Sequence, residues 1–356
     1  MKWTDGLSLA PAVARSRFLG GPPFKLLLSL TDRCTHRCSH CRTWTRAPGD
    51  ELRPDEVARM LDHLPGLRWL DLTGGEIVAR PDADALADAI ASRSSRLVFL
   101  HFATNGWAPQ RVLAFADRLR AAPGPRTRPL IVTVSIDGDR ALNDRLRGRK
   151  GAFDRAVATA EALARLPGVD VYVGTTVTPD NIDALERTHA AIVQALPGLG
   201  RDRWHVNLMN RSGHFFGNLD VPTPAPADLR RAVDSIGRLR GTPRDAFAVV
   251  ERLFLATLRG YLADGDAPVP CQALRASVFV GPTGDVHPCH VHQACLGNLR
   301  DADCDVNRIL DGAPARRERT RIRQSRCAEC WTPCEAYPAM IASPLRTLLA
   351  ALAPKS

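Results

Sequence analysis

The chain has 356 residues, of which 45% are hydrophobic and 24% are charged, values that are ordinary for a globular protein. This length suits one large α/β domain or two domains, and it is ample for a sizeable core. No apolar run approaches the ~18 residues that a membrane span needs, and the N-terminal segment lacks the long apolar centre of a secretory signal. The sequence therefore predicts a soluble, cytoplasmic protein.

The chain is basic, with 48 Lys and Arg residues against 38 Asp and Glu residues and a net charge of +10. Its densest basic stretch, 316–326, carries six arginines and one glutamate. We interpret this stretch as a solvated helix face or loop rather than a polyanion-binding patch, because no aromatic residues or nucleic-acid motif accompany it. Charge alone therefore identifies no partner.

From Phe24 to about Met209, short apolar runs alternate with amphipathic stretches. The strand-like runs are Phe24–Leu30, Arg68–Leu72, Leu97–Ala103, Leu130–Ile136, Asp170–Val177 and Trp204–Met209. Between them, apolar residues recur at helical spacing, as in the stretch that Pro54 opens with acids in its first turn. Six successive β-then-α units predict parallel strands joined by right-handed crossovers. Because the count falls short of eight, we expect an α/β fold with a partial, open (β/α)6 barrel of the TIM type.

The sequence predicts three further regions outside the barrel. Residues 1–23 form an N-terminal tail, the barrel covers 24–220, and a helical connector covers 221–270. Residues 271–356 form a small cysteine-rich domain, which ends in a short apolar-faced helix at 339–353 that Ser343-Pro344 interrupts. Within the connector, a proline-rich linker at 221–226 precedes two helices, at about 227–239 and 244–262.

The ten cysteines fall into two groups. Cys34, Cys38 and Cys41 stand within eight residues; 229 residues then pass without a cysteine, and the other seven lie within 64 residues. A secreted disulfide framework would spread its cysteines and follow a signal peptide. Because neither feature is present, the two groups indicate metal binding.

The first cysteine group follows the first predicted strand, in the loop Cys34-Thr-His-Arg-Cys38-Ser-His-Cys41. In a parallel barrel, the loops at the carboxyl ends of the strands carry the active site. Three thiolates spaced C-x3-C-x2-C can ligate three corners of a [4Fe–4S] cluster, and the fourth iron is then free to bind a small molecule. The alternative is zinc, with His36 or His40 as the fourth ligand. We favour the cluster because a compact loop with unequal gaps at the top of a barrel strand suits it better.

This cysteine spacing is the signature of the radical S-adenosylmethionine (SAM) enzymes, a family that the chain resembles. Other motifs of the family's pattern lie at the ends of successive predicted strands. Each of these motifs is a weak signal when taken alone. They are Thr73-Gly74-Gly75-Glu76 after the second strand, Thr104-Asn105-Gly106 after the third, Ser135-Ile136-Asp137 after the fourth with Arg147-Gly148 behind it, and Thr176, Val177 and Asn181 after the fifth. Their order along the chain is what supports the resemblance.

The resemblance implies a SAM site at these strand ends. Gly74, Gly75 and Glu76 would hold the amino group of SAM, because two glycines let the backbone approach a ligand and a carboxylate accepts bonds from an ammonium group. The ribose would lie against the element after the fourth strand, and His40 stands where the family usually has an aromatic ring against the adenine. The SAM-binding residues predicted in this way are His40, Gly74, Gly75, Glu76, Asn105, Ser135, Asp137 and Arg147.

The second cysteine group begins with a predicted β-hairpin. Residues 276–280 and 285–287 flank the turn Gly281-Pro282-Thr283-Gly284, and this hairpin can bring Cys271 and Cys289 to one side. Cys327 and Cys330 can supply a second pair of thiols from about forty residues further on.

This arrangement resembles the SPASM or twitch extension of the family, which carries auxiliary iron–sulfur clusters. We therefore expect one auxiliary [4Fe–4S] cluster on four cysteines: Cys271, Cys289, Cys327 and Cys330. The chain departs from a full SPASM pattern because no cysteine follows Cys334, which puts a second auxiliary cluster in doubt. A structural zinc ribbon on the same four residues is the alternative, and Cys295, Cys304 and Cys334 remain as alternates.

The resemblance implies that the protein cleaves SAM reductively to a 5′-deoxyadenosyl radical, which abstracts hydrogen from a substrate carbon. A reducing partner such as flavodoxin or ferredoxin would supply the electron. We expect a role in natural-product biosynthesis on a sugar-like small molecule or a ribosomal peptide, by oxidation, cross-linking or epimerisation. Only 23 residues precede the first strand, fewer than the leader-binding domain that peptide-modifying members often carry, which weakens the peptide interpretation.

Two other functions stay open: radical modification of a nucleic acid and a non-catalytic iron–sulfur carrier. Cys334 is the candidate catalytic residue, as the hydrogen donor that an epimerase needs, although cluster ligation and simple burial are its alternatives. Four polar residues near the end of the sixth strand are candidates for the substrate pocket: His205, Asn207, Asn210 and His214.

Overall fold

A computed structural model describes residues 9–18, 21–121, 130–324, 327 and 330–352 of the chain. Its strands are β1 (Lys25–Ser29), β2 (Trp69–Thr73), β3 (Phe99–Thr104), β4 (Leu130–Ser135), β5 (Val169–Val177), β6 (Trp204–Leu208), β7 (Ser277–Val280), β8 (Asp285–His287) and β9 (Gly297–Asn298). They form one nine-stranded sheet in the order β6-β5-β4-β3-β2-β1-β7-β8-β9.

The first six strands are parallel and neighbour one another in chain order. Leu26, Leu28, Leu70 and Leu100 are all at most 2% exposed, so the apolar runs are strands whose outer faces the helices cover. The predicted strands, their parallel arrangement and the partial (β/α)6 barrel are confirmed.

Helices follow the strands and cover the outside of this sheet. They are α1 (Ala10–Phe18), α2 (Pro54–Asp62), α3 (Ala83–Ala91), α4 (Pro109–Arg120), α5 (Arg140–Leu146), α6 (Ala152–Ala164), α7 (Leu185–Ala195), α8 (Pro226–Leu239), α9 (Ala246–Asp264), α10 (Val306–Leu310), α11 (Ala313–Gln324), α12 (Pro333–Ala342) and α13 (Pro344–Leu352). Short 3-10 turns lie at Thr43–Thr45, Ile77–Ala79, Ile182–Ala184, Arg201–Arg203 and Arg300–Ala302. None of the helices in the described ranges is both long and apolar enough to cross a membrane.

The predicted hairpin is present and extends the barrel's own sheet. β7 and β8 are antiparallel, while β7 pairs in parallel with β1, so that Lys25 lies between Trp69 and Ser277. Further along, Arg300 Nε donates to Glu56 Oε1 at 2.7 Å and so fastens the cysteine-rich region to α2. The strands before the predicted domain boundary at 220 and those after the boundary at 271 therefore belong to one continuous sheet.

Both ends of the chain contain helices that the sequence predicted only in part. The region predicted as a tail includes α1, where Ser16 Oγ donates to the carbonyl of Arg275 at 2.6 Å, although residues 1–8 and 19–20 lie outside the described ranges. At the other end, the break predicted at Ser343 separates α12 from α13. The basic stretch is mostly helix α11, and Arg326 lies outside the described residues.

Candidate active site

The barrel encloses a cavity of about 300 Å³ that runs from the cysteine loop into the sheet. Alternate residues of β1 to β6 face it, because successive side chains of a strand point to opposite sides. Lys25 and Leu27 of β1 are examples, as are His205 and Asn207 of β6. The polar side chains in this cavity are therefore held on strands, which position them more rigidly than loops would.

The three cysteines of the first group all line this cavity. Their loop is held by backbone hydrogen bonds to the end of α5: Arg37 N donates to Arg147 O at 3.1 Å, and Ser39 N donates to Leu146 O at 2.9 Å. On the other side, Trp44 Nε1 donates to the carbonyl of Cys41 at 2.9 Å. The loop is thus fixed before any ligand binds.

The two glycines after β2 lie against the segment that leads into the cysteine loop. Gly75 N donates to Thr31 O and Glu76 N donates to Arg33 O, both at 2.7 Å. A Cβ atom on Gly75 would lie 2.2 Å from the carbonyl oxygen of Arg33, and one on Gly74, where φ is +136°, would lie 2.5 Å from that of Thr31. The two glycines therefore let the backbone approach residues 31–33, which lead into the cysteine loop, and their contact with the amino group of SAM stays a prediction.

Glu76 is 2% exposed and lies behind the residues that line the cavity. Its carboxyl group accepts hydrogen bonds from Thr104 Oγ1 at 2.9 and 3.0 Å and from Asn105 N at 2.7 Å. Burial raises the pKa of Glu76 to about 7, although these donors act in the opposite direction. Gly74, Gly75 and Asn105 do line the cavity, and the role of Glu76 toward the amino group of SAM stays a prediction.

Asp137 and Arg147 form a buried ion pair beside the cysteine loop. Asp137 is 0% exposed; its Oδ2 lies 2.8 Å from Arg147 Nη2, and its Oδ1 accepts from Thr176 N at 2.8 Å. Of the residues predicted for the ribose, Ser135 and Arg147 face the cavity and Asp137 stands behind them. Asp137 therefore orients Arg147, and its direct contact with SAM stays a prediction.

The cysteine loop fits a [4Fe–4S] cluster by the chemistry around its thiols. Arg147 Nη1 lies 3.9 Å from Cys38 Sγ, and Asn105 Nδ2 lies 4.0 Å from Cys34 Sγ, so donors are ready for a negatively charged thiolate cluster. Burial raises the pKa of Cys34 to about 11 and that of Cys38 to about 12, so metal binding must displace both protons.

No three His, Cys, Asp or Glu side chains in the described ranges stand close enough together to form the ligand set of one metal ion. The thiolates of a four-iron cluster bind different iron atoms and need not converge on one point.

His36 and His40 line the cavity beside these thiols, and each is at most 9% exposed. His36 Nε2 and His40 Nδ1 are both buried without a hydrogen-bond partner in the described part of the chain. Burial lowers the pKa of both rings, that of His36 to about 3, so both are neutral. A buried polar atom without a partner is costly, and a bound ligand would relieve the cost.

The second cysteine group comes together from separate parts of the chain. The thiols of Cys271 and Cys327 are hydrogen bonded, and burial, together with the nearby Cys330 thiol, raises the pKa of Cys289. His292 N donates to Cys289 Sγ at 3.3 Å, which is a common feature around cluster sulfurs. The four predicted ligands are therefore neighbours, and their ligation of a cluster stays a prediction.

The alternates for this second cluster lie in other places. Cys295 is exposed, and Cys304 is buried near Glu56 and Arg300, away from the four. The third alternate, Cys334, lines the barrel cavity. Burial raises its pKa to about 12, so it is a protonated thiol.

A buried lysine lies at the deep end of the cavity. Lys25, which is 1% exposed, has its Nζ 3.0 Å from Asp71 Oδ2 and donates to the carbonyl of Cys334 at 2.6 Å. Although burial acts to raise it, Lys25 and His101 hold the pKa of Asp71 well below its ordinary value. His101 Nδ1 lies 3.2 Å from Asp71 Oδ1. Lys25 thus links the barrel to the C-terminal region, because its ammonium group contacts both Asp71 of β2 and the carbonyl of Cys334.

A second carboxylate–histidine pair lies on the β6 side. His205 Nδ1 is 2.5 Å from Glu251 Oε1 of α9, and Arg240 and Tyr337 also donate to this carboxylate. His205, Asn207 and Asn210 line the cavity, as the sequence suggested.

The sequence suggested His214 as a candidate for the substrate pocket, but His214 is not among the residues that line the cavity. Its Nε2 donates to the carbonyl of Cys289 at 3.1 Å, and its ring stacks on that of His287 with 4.0 Å between centroids. His214 therefore joins the loop after β6 to the second cysteine group.

Sequence reasoning missed Lys25, Asp71, His101, Glu251 and Tyr337. For the first two a signal existed, because a charged residue at an inward position of an otherwise apolar strand has to find a buried partner. No comparable signal marked Glu251 or Tyr337, since helices distant in sequence bring them to His205.

Both cysteine-bearing parts of the chain match known protein families. A model of the Radical SAM superfamily matches residues 28–192, and a model of the SPASM iron–sulfur cluster-binding domain matches residues 271–331.

Among curated proteins, the chain is similar to the AdoMet-dependent heme synthase of Methanosarcina barkeri, at 28% identity over 302 residues that cover 78% of this chain and 80% of the synthase. It is 30% identical over 290 residues to the mycofactocin maturase MftC of Mycolicibacterium smegmatis, covering 78% of this chain and 67% of MftC.

Among solved structures, Streptococcus suis SuiB bound to its precursor peptide SuiA has the same fold, with a TM-score of 0.59 and 17% identity over 84% of this chain and 68% of SuiB. In its SAM-bound form the match spans 65% of SuiB.

Proposed function

The chain belongs to the radical SAM superfamily and is an enzyme with a SPASM iron–sulfur domain; from this premise we propose that it modifies a peptide, one side chain of which enters the barrel cavity. The observation that carries the proposal is the size and charge of that cavity. At about 300 Å³ it stands at the low end of ligand sites, which span ~300–1,000 Å³, and the same space must admit SAM. A single side chain fits this space better than a macrocycle does.

The charges of the cavity support the same conclusion. Among the described residues that line it, the Lys and Arg side chains are Lys25 and Arg147, and each is paired with an aspartate. A haem-type macrocycle carries propionate carboxylates, which would need cations that are not already neutralised. A neutral side chain needs none.

The related proteins are consistent with a peptide but do not decide the substrate. MftC is named as a maturase, and SuiB, whose fold this chain shares, has been seen with a precursor peptide. The similarity to a heme synthase over 80% of its length favours a tetrapyrrole as the second candidate.

In the proposed reaction, Cys34, Cys38 and Cys41 would hold the cluster, and Gly75, Asn105, Ser135 and Arg147 would hold SAM at the strand ends. When bound, these groups would supply a 5′-deoxyadenosyl radical, the species that removes hydrogen from a substrate carbon. The chain itself fixes the geometry: Glu76 and Asp137 orient the residues around SAM. Apolar rings at the deep end, such as Phe99 and Phe247, keep water from the radical. A flavodoxin or ferredoxin would deliver the electron.

The test is turnover with chemically distinct substrates. Anaerobic, iron-loaded protein is given SAM and reductant with synthetic peptides taken from short reading frames beside its gene, or with an iron porphyrin that carries propionate side chains. We expect a peptide to accelerate 5′-deoxyadenosine formation at least tenfold and to change in mass. Acceleration by the porphyrin alone would replace the peptide with a tetrapyrrole.

A further inference from the structure

We propose that His205 is the proton acceptor of the reaction, which makes the reaction an oxidation of the substrate and not an epimerisation. This inference rests on the proposed function and adds the class of reaction to it. It is carried by the placement of His205 and of the residues around its ring.

His205 stands on β6 with its ring in the wall of the cavity, next to Asn207. Its side chain is 14% exposed, whereas that of Glu251 behind it is 1% exposed. The carboxylate is thus buried in the protein, and the ring separates it from the space where a substrate enters.

The partners of Glu251 fix which nitrogen of His205 carries hydrogen. Glu251 Oε1 lies 2.5 Å from His205 Nδ1 and also accepts a hydrogen bond from the hydroxyl of Tyr337. Its other oxygen, Oε2, accepts a hydrogen bond from Arg240. Although burial acts to raise it, His205 and Arg240 lower the pKa of Glu251 to about 2, so the carboxylate is ionised and accepts only. Nδ1 of His205 is therefore a hydrogen-bond donor to Glu251, and in the neutral ring Nε2 is the nitrogen that carries the lone pair.

Other histidines in the cavity do not have this arrangement. Both nitrogens of His101 have partners, Asp71 Oδ1 at 3.2 Å and Thr133 Oγ1 at 2.9 Å. His290 is also in the cavity wall, but burial lowers its pKa to about 3, and the ionisable groups in the described ranges that act on its ring are Lys25 and His214 rather than a carboxylate. The ring of His205 lies in the cavity wall with Nδ1 on a buried carboxylate, and no side chain or backbone group in the described part of the chain forms a hydrogen bond with its Nε2.

The proposed step removes one hydrogen atom, one proton and one electron from the substrate. The 5′-deoxyadenosyl radical takes a hydrogen atom from a substrate carbon that bears a hydroxyl or amine hydrogen. The O–H or N–H proton then passes to His205 Nε2, one electron passes to an auxiliary iron–sulfur cluster, and a C=O or C=N bond forms. The substrate loses two hydrogens in total. Glu251 stabilises the imidazolium, as a buried carboxylate does for a histidine base.

Epimerisation would need a different residue. There the substrate radical must receive a hydrogen atom, for which the protonated thiol of Cys334 in the same cavity is the candidate, and no proton acceptor is required. The two chemistries therefore predict different products: loss of two mass units for oxidation, and unchanged mass with one solvent-derived hydrogen for epimerisation.

The experiment compares three glutamine variants of the iron-loaded enzyme: His205→Gln, Glu251→Gln and, as the matched control, His189→Gln. His189 is also buried, and its ring packs 4.9 Å from Trp204 on the outer side of β6, away from the cavity. We expect His205→Gln to lower the ratio of oxidised product to 5′-deoxyadenosine at least tenfold, with iron content and SAM affinity within threefold of wild type. Glu251→Gln should lower the ratio less, and His189→Gln should leave it unchanged.

A second measurement does not depend on turnover. Nitrogen-15 NMR of histidine-labelled, oxidised holoenzyme, assigned by comparison with His205→Gln, should show His205 as the Nδ1–H tautomer and should lose this preference in Glu251→Gln. An Nε2–H tautomer would overturn the proposal. So would an unchanged product ratio in His205→Gln, a parallel loss of iron or SAM binding, or a product of unchanged mass that contains solvent deuterium.

These outcomes separate the inference from the proposed function. If no peptide is turned over, the proposed function fails, and the tautomer still decides the state of His205. If a peptide is epimerised, the proposed function stands and the role of His205 is overturned.

Discussion

The two cysteine groups are built in opposite ways. The first lies in one loop of eight residues, held by Gly74 and Gly75 on one side and by the end of α5 on the other. The four predicted ligands of the second come from the two sides of the hairpin and from the segment before α12, so they are up to 59 positions apart, from 271 to 330. A site contained in one loop is visible as a spacing, whereas an assembled site depends on the fold to bring its members together.

The largest expected effect comes from removing the loop site. Changing Cys34, Cys38 and Cys41 together to alanine should abolish SAM cleavage and remove about four of about eight irons, because each cluster needs its thiolates. Iron analysis and 5′-deoxyadenosine assay check this. The matched control is Cys295→Ala with Cys304→Ala, since neither is among the seven predicted cluster ligands, and it should leave iron and cleavage unchanged. Retention of all iron by the triple variant would contradict the assignment of a separate cluster to the cysteine loop.

A smaller effect is expected at the border of the loop site. Glu76→Gln should weaken SAM binding about tenfold or more without changing iron content, because in the proposed site the carboxylate accepts from the ammonium group of SAM, a contact worth ~1.5–3 kcal/mol. Glu56→Gln is the matched control: Glu56 is an equally buried carboxylate, but it binds Arg300 far from SAM. Calorimetry of SAM binding measures both. Affinities within a few-fold for Glu76→Gln would mean that the carboxylate only orients Thr104 and Asn105.

Much of the fold was predictable, and for a physical reason. Strands buried on both faces, such as β4 with its sequence LIVTVS, read as apolar runs, and parallel order follows from the helices between them. The cysteine loop was predictable because its residues are adjacent in sequence.

What could not be predicted depends on contacts between distant segments. Glu251 reaches His205 from α9, and Lys25 reaches the carbonyl of Cys334, 309 positions away. The glycine pair was recognised, but only the fold reveals that residues 31–33, which lead into the cysteine loop, occupy the space that a Cβ would need. Patterns in one segment indicate local structure, and the partner of a buried charge is set by topology.

The most direct test of two separate sites is electron paramagnetic resonance of the dithionite-reduced protein, recorded with and without SAM. The wild type should show two signals, of which only one shifts when SAM is added. The variant that lacks Cys34, Cys38 and Cys41 should keep only the signal that does not respond. A SAM-sensitive signal in that variant, or a wild type in which no signal responds to SAM, would contradict the assignment of the loop as the SAM site.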